Sequence, residues 1–429
     1  MKRGVMANAI LWYEIKNIGS FEDEGGFVDL TTTAKDKKKE LWVDVDGHKV
    51  NLITAIMGAN ASGKTTLIKP MSFLSWFFWS IPAKVTEYLY LNINRPFVNP
   101  GMIKVCFVLE GKVYTYVVIA CDHFIIKEEL YVKNENNKNI YIFKRGLNKE
   151  NYKNNLNKKG DELSPKEIED FLKTIKYDYV EKSELFPLGG LEGKRTPSNT
   201  SIISAARRVG VPLAMSIAEQ MSNTTNVNAM GRYSYDYEDL GATAEDLYED
   251  TVTFNSVKRI LRKWDLGLDD IIIEKEEKID VNGEKETYYL LKGVHAKEDG
   301  TKFELPFAFE SAGTQSAFVR LNNIMKCLKK GTACFIDELG DDLHPHMVKP
   351  ILELFISKET NPMHAQLIFT CHKPELINYL GKYRVLITEK KYNKSECYRL
   401  DDFPSSEARV DDNIAAKYLA GAFGGVPDL

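Results

Sequence analysis

Hydrophobic positions follow strand-like periods at both ends of the chain and helical spacing in its middle. The strand-like segments are ILWYEIKNI, ELWVDV, LITAIM, IKVCFVL, KVYTYVVIAC and FIIKEELYV, and later IIIEKEEKIDV, EKETYYLLKGVHA and TKFELPFAF. The pattern predicts an α/β fold in three parts. These are residues 1–135 with an antiparallel β meander, a largely helical insertion over residues 140–265, and a mixed part over residues 266–429.

The middle part combines polar stretches with amphipathic helices. Residues 133–163 are rich in Asn and Lys, which is typical of a solvated loop, with a nucleic-acid patch as the alternative. Ser164-Pro165-Lys166-Glu167 forms a capping box that should start the helix KEIEDFLKTI. A helical stretch interrupted at Gly210 and Pro212 follows, and SVKRILRKWDLG is another helix. The polar stretch 223–239 between them is expected to be mobile.

The last part should open on a β-hairpin, because Asn282-Gly283 is the pair that a type I′ turn prefers. A turn at Asp299-Gly300 leads to the next strand. The segment SAFVRLNNIMKCL then carries apolar side chains at helical spacing, and the short apolar runs ACFI and QLIFT follow it as buried strands.

Composition adds little to this pattern. The 429 residues carry a net charge of -4 and are 44% hydrophobic, so no overall field attracts DNA or an anionic membrane. The six cysteines show no C-x-x-C pair, which indicates reduced core residues in a cytoplasmic protein. The segment FLSWFFWSI is too short to span a bilayer, and the N-terminus lacks the apolar core of a secretory signal, so no membrane contact is expected.

The strongest local motif is GANASGKTT, directly after the apolar run Leu52–Met57. It matches the phosphate-binding loop G-x-x-x-x-G-K-[ST], in which a strand enters a tight loop and the loop opens a helix. Lys64 would meet the β- and γ-phosphates, and the Thr65 hydroxyl would bind Mg²⁺. Pro70 should kink or end the helix that follows. The predicted nucleotide-binding residues are Gly58, Ala59, Asn60, Ala61, Ser62, Gly63, Lys64, Thr65 and Thr66.

Three later stretches extend this motif. Ser311, Gly313, Thr314 and Gln315 open a helix and form a candidate second anion site, for which a simple helix cap is the alternative. Asp337 and Glu338 end the strand ACFI, where Asp337 would position Mg²⁺ and Glu338 would polarise the attacking water. His372 ends the strand QLIFT and would act beside them, although a lone histidine is usually structural.

In this order the motifs resemble those of the ABC-type ATPases. Gly58–Thr66 corresponds to Walker A, Ser311–Gln315 to the signature, Asp337-Glu338 to Walker B and His372 to the switch histidine. More narrowly, ESAGTQ, FIDELGDDLHPHM, FTCHKPELI and YLAGAFGGVPDL resemble the predicted ATPases of phage defence grouped as AAA fifteen, which include RloA, AbiL-type and PARIS-system ATPases. The match covers residues 1–135 and 266–429, and the middle is weakly matched.

The resemblance implies an ABC-type P-loop ATPase head with an antiparallel β subdomain and the inserted helical lobe. It implies ATP and Mg²⁺ as cofactors, Glu338 and His372 as catalytic residues, and a homodimer or higher oligomer in which the signature of one protomer completes the site of another. Asp341, Asp342 and His344 would lie at that seam. No glutamine precedes Gln220, so the glutamine that transporter-type proteins place after the first helix is missing or substituted, and hydrolysis is expected to be slow.

Two functions follow from the resemblance. The first is an ATPase sensor or scaffold of an anti-phage, abortive-infection system, with a phage protein or nucleic acid as trigger. Too few residues follow His372 for a fused TOPRIM nuclease domain, so the effector would be a separate TOPRIM-like or RloB-type protein encoded nearby. The alternative is a RecF/Rad50-like DNA-maintenance ATPase, although no heptads support a coiled coil. Its DNA contacts would be the basic residues of the insertion, which otherwise form solvated helix faces: Arg207, Arg208, Arg259, Arg262 and Lys263.

Overall fold

The elements of the first part are mostly strands. In the computed structural model, the described residues are 8–91, 93, 99–148, 164–228, 230–265, 267–279, 285–341, 343–404 and 413–426. The first elements are β1 (Ala9–Lys16), β2 (Gly26–Asp29), β3 (Trp42–Val45), β4 (His48–Asn51), β5 (Ile53–Gly58), α1 (Lys64–Trp79), β6 (Gly101–Leu109), β7 (Lys112–Ala120), β8 (Ile125–Lys133) and β9 (Asn139–Leu147).

Helices dominate the middle of the chain, and the last part alternates helices and strands. The middle elements are α2 (Pro165–Thr174), β10 (Tyr177–Glu181), α3 (Gly190–Arg195), α4 (Ile202–Arg208), α5 (Pro212–Gln220), β11 (Thr224–Thr225), β12 (Val227–Asn228), β13 (Gly231–Arg232), α6 (Tyr237–Glu249) and α7 (Thr251–Trp264). The last are β14 (Asp270–Ile279), β15 (Lys285–Ala296), β16 (Lys302–Pro306), α8 (Ala312–Lys330), β17 (Ala333–Ile336), α9 (Pro345–Ile356), β18 (Gln366–Thr370), α10 (Glu375–Leu380), β19 (Val385–Lys391), β20 (Lys394–Arg399) and α11 (Ile414–Leu419).

Two sheets form the framework. The antiparallel sheet has the order β10-β9-β8-β7-β6-β1-β2, and the second sheet has the order β11-β17-β18-β5-β19-β20. In the second sheet β11, β17, β18, β5 and β19 are parallel, while β20 closes one edge antiparallel to β19. The strand that carries the phosphate loop is therefore central, as expected for a P-loop α/β fold.

Alternating side chains divide the hydrophobic core between the two faces of the parallel sheet. Ile56 of β5 faces the antiparallel sheet and packs in one cluster with Leu67 and Ile68 of α1. Met57, the next residue, faces the opposite side and packs in the cluster that contains Phe318 of α8. This alternation follows from the two-residue period of a strand. Helix α1 is thus enclosed between the sheets, with the phosphate loop at its N-terminus.

Several expected elements are confirmed. Ser164 caps α2 in a capping box with Glu167. The helical stretch is interrupted near Gly210 and Pro212 as predicted, and Ser311 caps α8. Strands β14 and β15 pair antiparallel, but the turn predicted at Asn282-Gly283 lies outside the described residues.

The structure corrects three local predictions, two of them in part. Part of the Asn- and Lys-rich stretch is strand β9, which pairs with β8 and β10, so the antiparallel sheet continues into the segment assigned to the insertion. Of the two outcomes predicted at Pro70, the end of the helix is wrong, because α1 runs to Trp79 with apolar side chains buried on both sides of the proline. The described residues of the stretch 223–239 form β11, β12 and β13 and the start of α6 rather than an irregular segment, and their mobility stays a prediction.

The next two features are the state of the cysteines and the length of the helices. All six cysteines lie among the described residues and are free thiols, five of them buried. Within the described part of the chain, every helix is too short or too polar to cross a bilayer.

A buried arginine joins the antiparallel sheet to the helical insertion. Arg145 of β9 donates hydrogen bonds to the carbonyl oxygens of Thr196 (2.7 Å), Pro197 (2.8 Å) and Thr200 (2.8 Å). Its guanidinium lies 3.9 Å from the carboxylate of Glu128, which accepts bonds from the Ile202 backbone N–H at 2.9 and 3.0 Å. Both side chains are inaccessible to solvent, so each depends on the other for charge compensation.

Replacing Arg145 by Met should destabilise the protein by about 3–5 kcal/mol, because Glu128 is left buried without its counter-charge. Burial raises the pKa of Glu128 to about 7, while Arg145 acts to lower it. Without Arg145 the pKa of Glu128 rises further, so Glu128 is neutral at pH 6 and needs no partner. We therefore expect a larger loss at pH 8 than at pH 6, measured by denaturant unfolding.

The double variant R145M/E128Q tests the cause of this loss. It removes the unpaired charge, so it should recover part of the stability at pH 8 and little at pH 6. The control is K144M, on the same strand, where the lysine lies over the exposed faces of Tyr131 and Tyr141. A loss in R145M that is the same at both pH values would contradict the charge explanation.

Candidate functional site

The phosphate loop has a backbone that only glycine tolerates at two positions. Gly58 and Gly63 adopt φ angles of 153° and 108°, in the region that side chains disfavour. A Cβ added to Gly58 would lie 2.3 Å from the Thr388 carbonyl oxygen, and one on Gly63 would lie 2.9 Å from both Phe21 and Ser395. The two glycines of the motif therefore allow the loop to pass close to the β19–β20 hairpin.

That hairpin also holds the loop by hydrogen bonds. The Ser62 hydroxyl lies 2.6 Å from the Thr388 hydroxyl, and the Ser395 hydroxyl donates to the Ser62 carbonyl oxygen at 2.7 Å. The Ser395 hydroxyl also lies 2.6 Å from the hydroxyl of Ser20, on the connection between β1 and β2. The loop is thus held from both sheets.

Lys64 lies inside the loop that it serves. Its ammonium donates to the carbonyl oxygens of Gly58 (3.1 Å) and Ala59 (3.0 Å). Burial lowers the pKa of this ammonium, while the carboxylates of Glu338 and Asp337 act in the opposite direction. A partly desolvated ammonium with only carbonyl partners is well suited to bind a phosphate oxygen.

Asp337 ends β17 and is the most enclosed carboxylate of the site, with 3% of its surface exposed. Its two oxygens accept hydrogen bonds from the hydroxyls of Thr65 (2.8 Å) and Thr370 (2.6 Å). Its backbone is held by the Asn226 side chain, whose amide donates to the Asp337 carbonyl at 2.9 Å and accepts from the Asp337 N–H at 2.8 Å. The central strands and the insertion therefore meet at this residue.

The donor set of Thr65 and Asp337 fits Mg²⁺. A hydroxyl and a carboxylate in direct contact supply two hard oxygen ligands, and Mg²⁺ usually takes few protein ligands together with substrate phosphates and water. Among the described residues there is no group of three or more His, Cys, Asp or Glu that could hold a metal. Bound Mg²⁺ would neutralise charge on the phosphates, and Thr65 and Asp337 would hold it there.

Glu338 is placed by its backbone at the edge of the phosphate cavity. It has a φ angle of 51°, rare for a residue with a side chain, and its N–H donates to the Thr370 hydroxyl at 2.7 Å. One carboxylate oxygen accepts from Arg232 (2.7 Å), and the other lies 3.6 Å from His372 Nε2. The structure thus places Glu338 beside the phosphate loop and His372 beside Glu338, and their catalytic roles stay a prediction.

The charges around Glu338 favour its action as a base near neutral pH. A hydrogen bond with Asp341, together with burial, raises the pKa of Glu338 to about 7, against the opposing effect of Arg232. Burial and the nearby Lys64 lower the pKa of His372, so the imidazole is neutral at pH 7. A carboxylate that exchanges protons near neutrality and a neutral imidazole can together accept and orient a water molecule.

A cavity of about 660 Å³ lies beside the phosphate loop and Glu338. Its volume lies within the range of small-molecule sites and is larger than a phosphate group requires. Besides the phosphate loop and Glu338, its walls contain residues from the β1–β2 connection and the β19–β20 hairpin, namely Gly19, Ser20, Lys390 and Asn393. These four are the candidate contacts for the rest of a nucleotide.

The signature residues lie elsewhere. Ser311 caps α8 by accepting from the Thr314 N–H at 3.1 Å, and the Thr314 hydroxyl donates to Asp265 at 2.5 Å. Gln315 turns back to donate to the carbonyl oxygens of Ala308 and Glu310. Ser311, Gly313 and Thr314 border a separate cavity of about 310 Å³. Since none of its lining residues belongs to the phosphate loop, a single chain does not bring the two motifs together.

Two of the three residues expected at a dimer interface lie at different places. His344 lies in the signature cavity and caps α9, whereas Asp341 binds Arg232 at 2.7 Å. Asp342 lies outside the described residues.

One domain family matches residues 128–378 of the chain, which is more than half of its length. That family is described as "AAA domain, putative AbiEii toxin, Type IV TA system". The chain belongs to this family. The matched region contains the signature helix, the Asp337-Glu338 strand and His372, and the phosphate loop lies before it. The match identifies an AAA-type ATPase domain.

Other comparisons give less. A search of curated proteins finds no match. Among solved structures, the SMC head bound to the C-terminal winged-helix domain of ScpA is similar with a TM-score of 0.40 and 11% identity, covering 91% of this chain and 97% of that chain. This likeness is too distant to support a statement about activity.

Sequence reasoning missed Asn226, Arg232 and Thr370, although all three contact the predicted carboxylates. Thr370 lies two residues before His372, at the end of β18, which pairs with β17. Its position in the sequence could therefore have indicated that it belongs to the site. Asn226 and Arg232 lie in a polar stretch without periodicity, which reaches the site through the pairing of β11 with β17 and the contact of Val227 with α1.

Replacing Thr370 by Val in this AAA-type domain should destabilise the protein by about 1–3 kcal/mol, because the shape is kept while the Asp337 oxygen and the Glu338 N–H lose their partner. Denaturant unfolding measures the loss. The matched control is T54V on β5, where the buried threonine hydroxyl has no hydrogen-bond partner among the described residues. T54V should be neutral or stabilising, and equal losses in both variants would contradict the role of Thr370.

Proposed function

We propose that this chain is an ATP-binding and ATP-hydrolysing sensor or scaffold subunit of an anti-phage, abortive-infection system. In this proposal the chain forms head-to-tail assemblies around ATP and controls a separate toxic effector. The observation that carries it is the position of Lys64, Thr65 and Glu338 at one cavity, while the signature residues border another. Asp337 accepts from Thr65 behind that cavity, and His372 lies 3.6 Å from Glu338.

Hydrolysis is supported by the division of roles at the first cavity. Lys64 and the N-terminus of α1 provide positive charge for the phosphates. Thr65 and Asp337 provide the Mg²⁺ ligands, and Glu338 lies on the wall of the cavity where it can accept a proton from water. His372 is close enough to Glu338 to orient the same water.

Assembly is supported by the second cavity. The N-terminus of α8 lies at this cavity, with Ser311 exposed and Gly313 partly exposed at its start. Such a helix end attracts anions, and in one chain the phosphate loop lies at the other cavity. The nucleotide of a second chain would supply the anion. His344 at the same cavity would then lie against the partner.

The anti-phage role is supported by the family, whose description links this domain to the AbiEii toxin and type IV toxin–antitoxin systems. The finer resemblance of ESAGTQ and FIDELGDDLHPHM to RloA-, AbiL- and PARIS-type ATPases supports an effector that is a separate protein. A TOPRIM-like or RloB-type effector, and a phage protein or nucleic acid as trigger, are the partners of this proposal.

The alternative, a RecF-like ATPase that clamps DNA, has weaker support. Arg207 is used inside the protein, where it donates to the carbonyl oxygens of Phe78 and Trp79 and lies over the Trp79 ring. Arg262 lies 3.9 Å from Asp269. Basic residues that are occupied in this way leave less positive charge for phosphate contacts.

The variant E338Q should bind Mg-ATP with the affinity of the parent but lose hydrolysis by about 100-fold or more, because the amide cannot accept the proton. Trapped nucleotide should then increase the mass measured by light scattering when ATP is added. K64A is the comparison variant, since it should bind no nucleotide and keep the same mass with or without ATP. Hydrolysis by E338Q at the parental rate would show that Glu338 is not the base.

The variant G313L should block assembly without preventing nucleotide binding, because its side chain would fill the mouth of the signature cavity. It is best made in the E338Q background, where the increase in mass with ATP should disappear while ATP affinity stays within about threefold. The control is G241L in α6, an exposed position where an added Cβ lies more than 4 Å from the described residues outside its own helix backbone. Assembly of G313L/E338Q with ATP would contradict the role of the second cavity.

A further inference from the structure

A single arginine nitrogen bridges the proposed base and a neighbouring aspartate. Arg232 Nη1 donates to Glu338 Oε2 and to Asp341 Oδ2, both at 2.7 Å. The three side chains are partly exposed, with 24% of Arg232, 30% of Glu338 and 49% of Asp341 accessible. A partly exposed ion pair of this kind contributes little to the stability of the fold. Its effect is therefore expected on the orientation of the Glu338 carboxylate.

The backbone of Arg232 is held firmly beside the site. Arg232 pairs with Val227 in the β12–β13 ladder, and the N–H of Tyr233 donates to the Asn226 carbonyl at 3.0 Å. The Val227 carbonyl in turn accepts from the Ser72 hydroxyl of α1 at 2.6 Å. Because Asn226 holds the backbone of Asp337, the arginine is fixed relative to both the phosphate-loop helix and the carboxylate strand.

Glu338 needs such a partner to have a defined orientation. Its backbone is fixed by the bond from its N–H to Thr370, but this leaves the side-chain torsions free. Arg232 binds the Oε2 atom, which leaves Oε1 on the side of His372 at 3.6 Å. A Glu338 side chain that is already held in one rotamer loses no conformational entropy when it aligns the attacking water. A freely rotating side chain would lose that entropy.

We propose that Arg232 is a positioning residue of the ATPase site, which binds one oxygen of Glu338 against Asp341 and so directs the other oxygen toward the attacking water. This inference rests on the proposed ATP hydrolysis. It gives the segment 226–232 a catalytic task, although that segment lies outside the motifs that carry the chemistry. Arg232 acts through Glu338 and need not touch the nucleotide.

The test compares the steady-state kinetics of the parent, R232M and D341N. R232M should lower kcat by about 10- to 100-fold while KM and the affinity for Mg-ATP stay within about threefold, since orientation matters only once water is attacked. D341N removes the second anchor of the arginine and should lower kcat less. The double variant R232M/D341N should be no slower than R232M, because both changes act through one contact.

Two controls separate this role from a structural one. R195M replaces an exposed arginine on α3 and should leave kcat unchanged. R232K keeps a cation that can reach the carboxylates, so it should restore part of kcat, which a lost folding contact would not predict. If R232M fails to fold, the kcat and KM of R232K and D341N carry the test, with kcat reduced at unchanged KM in both.

The possible failures are distinguishable. Binding of Mg-ATP without hydrolysis by the parent would overturn the proposed ATPase function before any variant is considered. Hydrolysis by the parent with an unchanged kcat in R232M would overturn the role of Arg232 alone. A parallel loss of kcat, ATP affinity and thermal stability in R232M and R232K would show a structural contact and would also overturn it.

Discussion

A buried carboxylate must be fully hydrogen-bonded, and in this protein that requirement organises the site. Asp337 accepts from Thr65 at the start of α1 and from Thr370 at the end of β18, and its backbone pairs with the Asn226 side chain. If any of these partners is displaced, a desolvated charge or amide loses its bond. The phosphate-loop helix, the two strands beside it and the middle segment of the chain are consequently fixed relative to one another at a single residue.

Asp337 and the next residue, Glu338, lie in different surroundings. Asp337 is enclosed by hydroxyl donors, whereas Glu338, one position later, turns outward with a positive φ angle and has a pKa raised to about 7. Two adjacent carboxylates thus acquire different roles from their surroundings, as pairs of acids commonly do in enzymes. The positive groups are distributed accordingly, with Lys64 inside the loop and Arg232 at the rim.

How much the sequence could predict depended on whether the contacts were local. The strand–loop–helix form of the phosphate loop follows from its own residues, and Ser311 caps α8 through a hydrogen bond three residues away. Both elements could therefore be predicted from the sequence. Strand β9 was missed because its Asn- and Lys-rich flanks hid a pairing made with strands on both sides. Asn226 and Arg232 could not be predicted, because their polar stretch is positioned by contacts with distant elements, namely the pairing of β11 with β17 and the hydrogen bond from Ser72 of α1.

The order of the strands also has a consequence for synthesis of the chain. Thr65 and Asp337 are 272 positions apart, and Ser62 and Thr388 are 326 apart, yet each pair is in direct contact. At ordinary rates of translation the loop is made tens of seconds, on the order of 10–60 s, before its partners exist. A nascent or truncated chain therefore carries the complete phosphate-loop sequence without a site. Nucleotide binding reports that nearly the whole polypeptide has been made and folded.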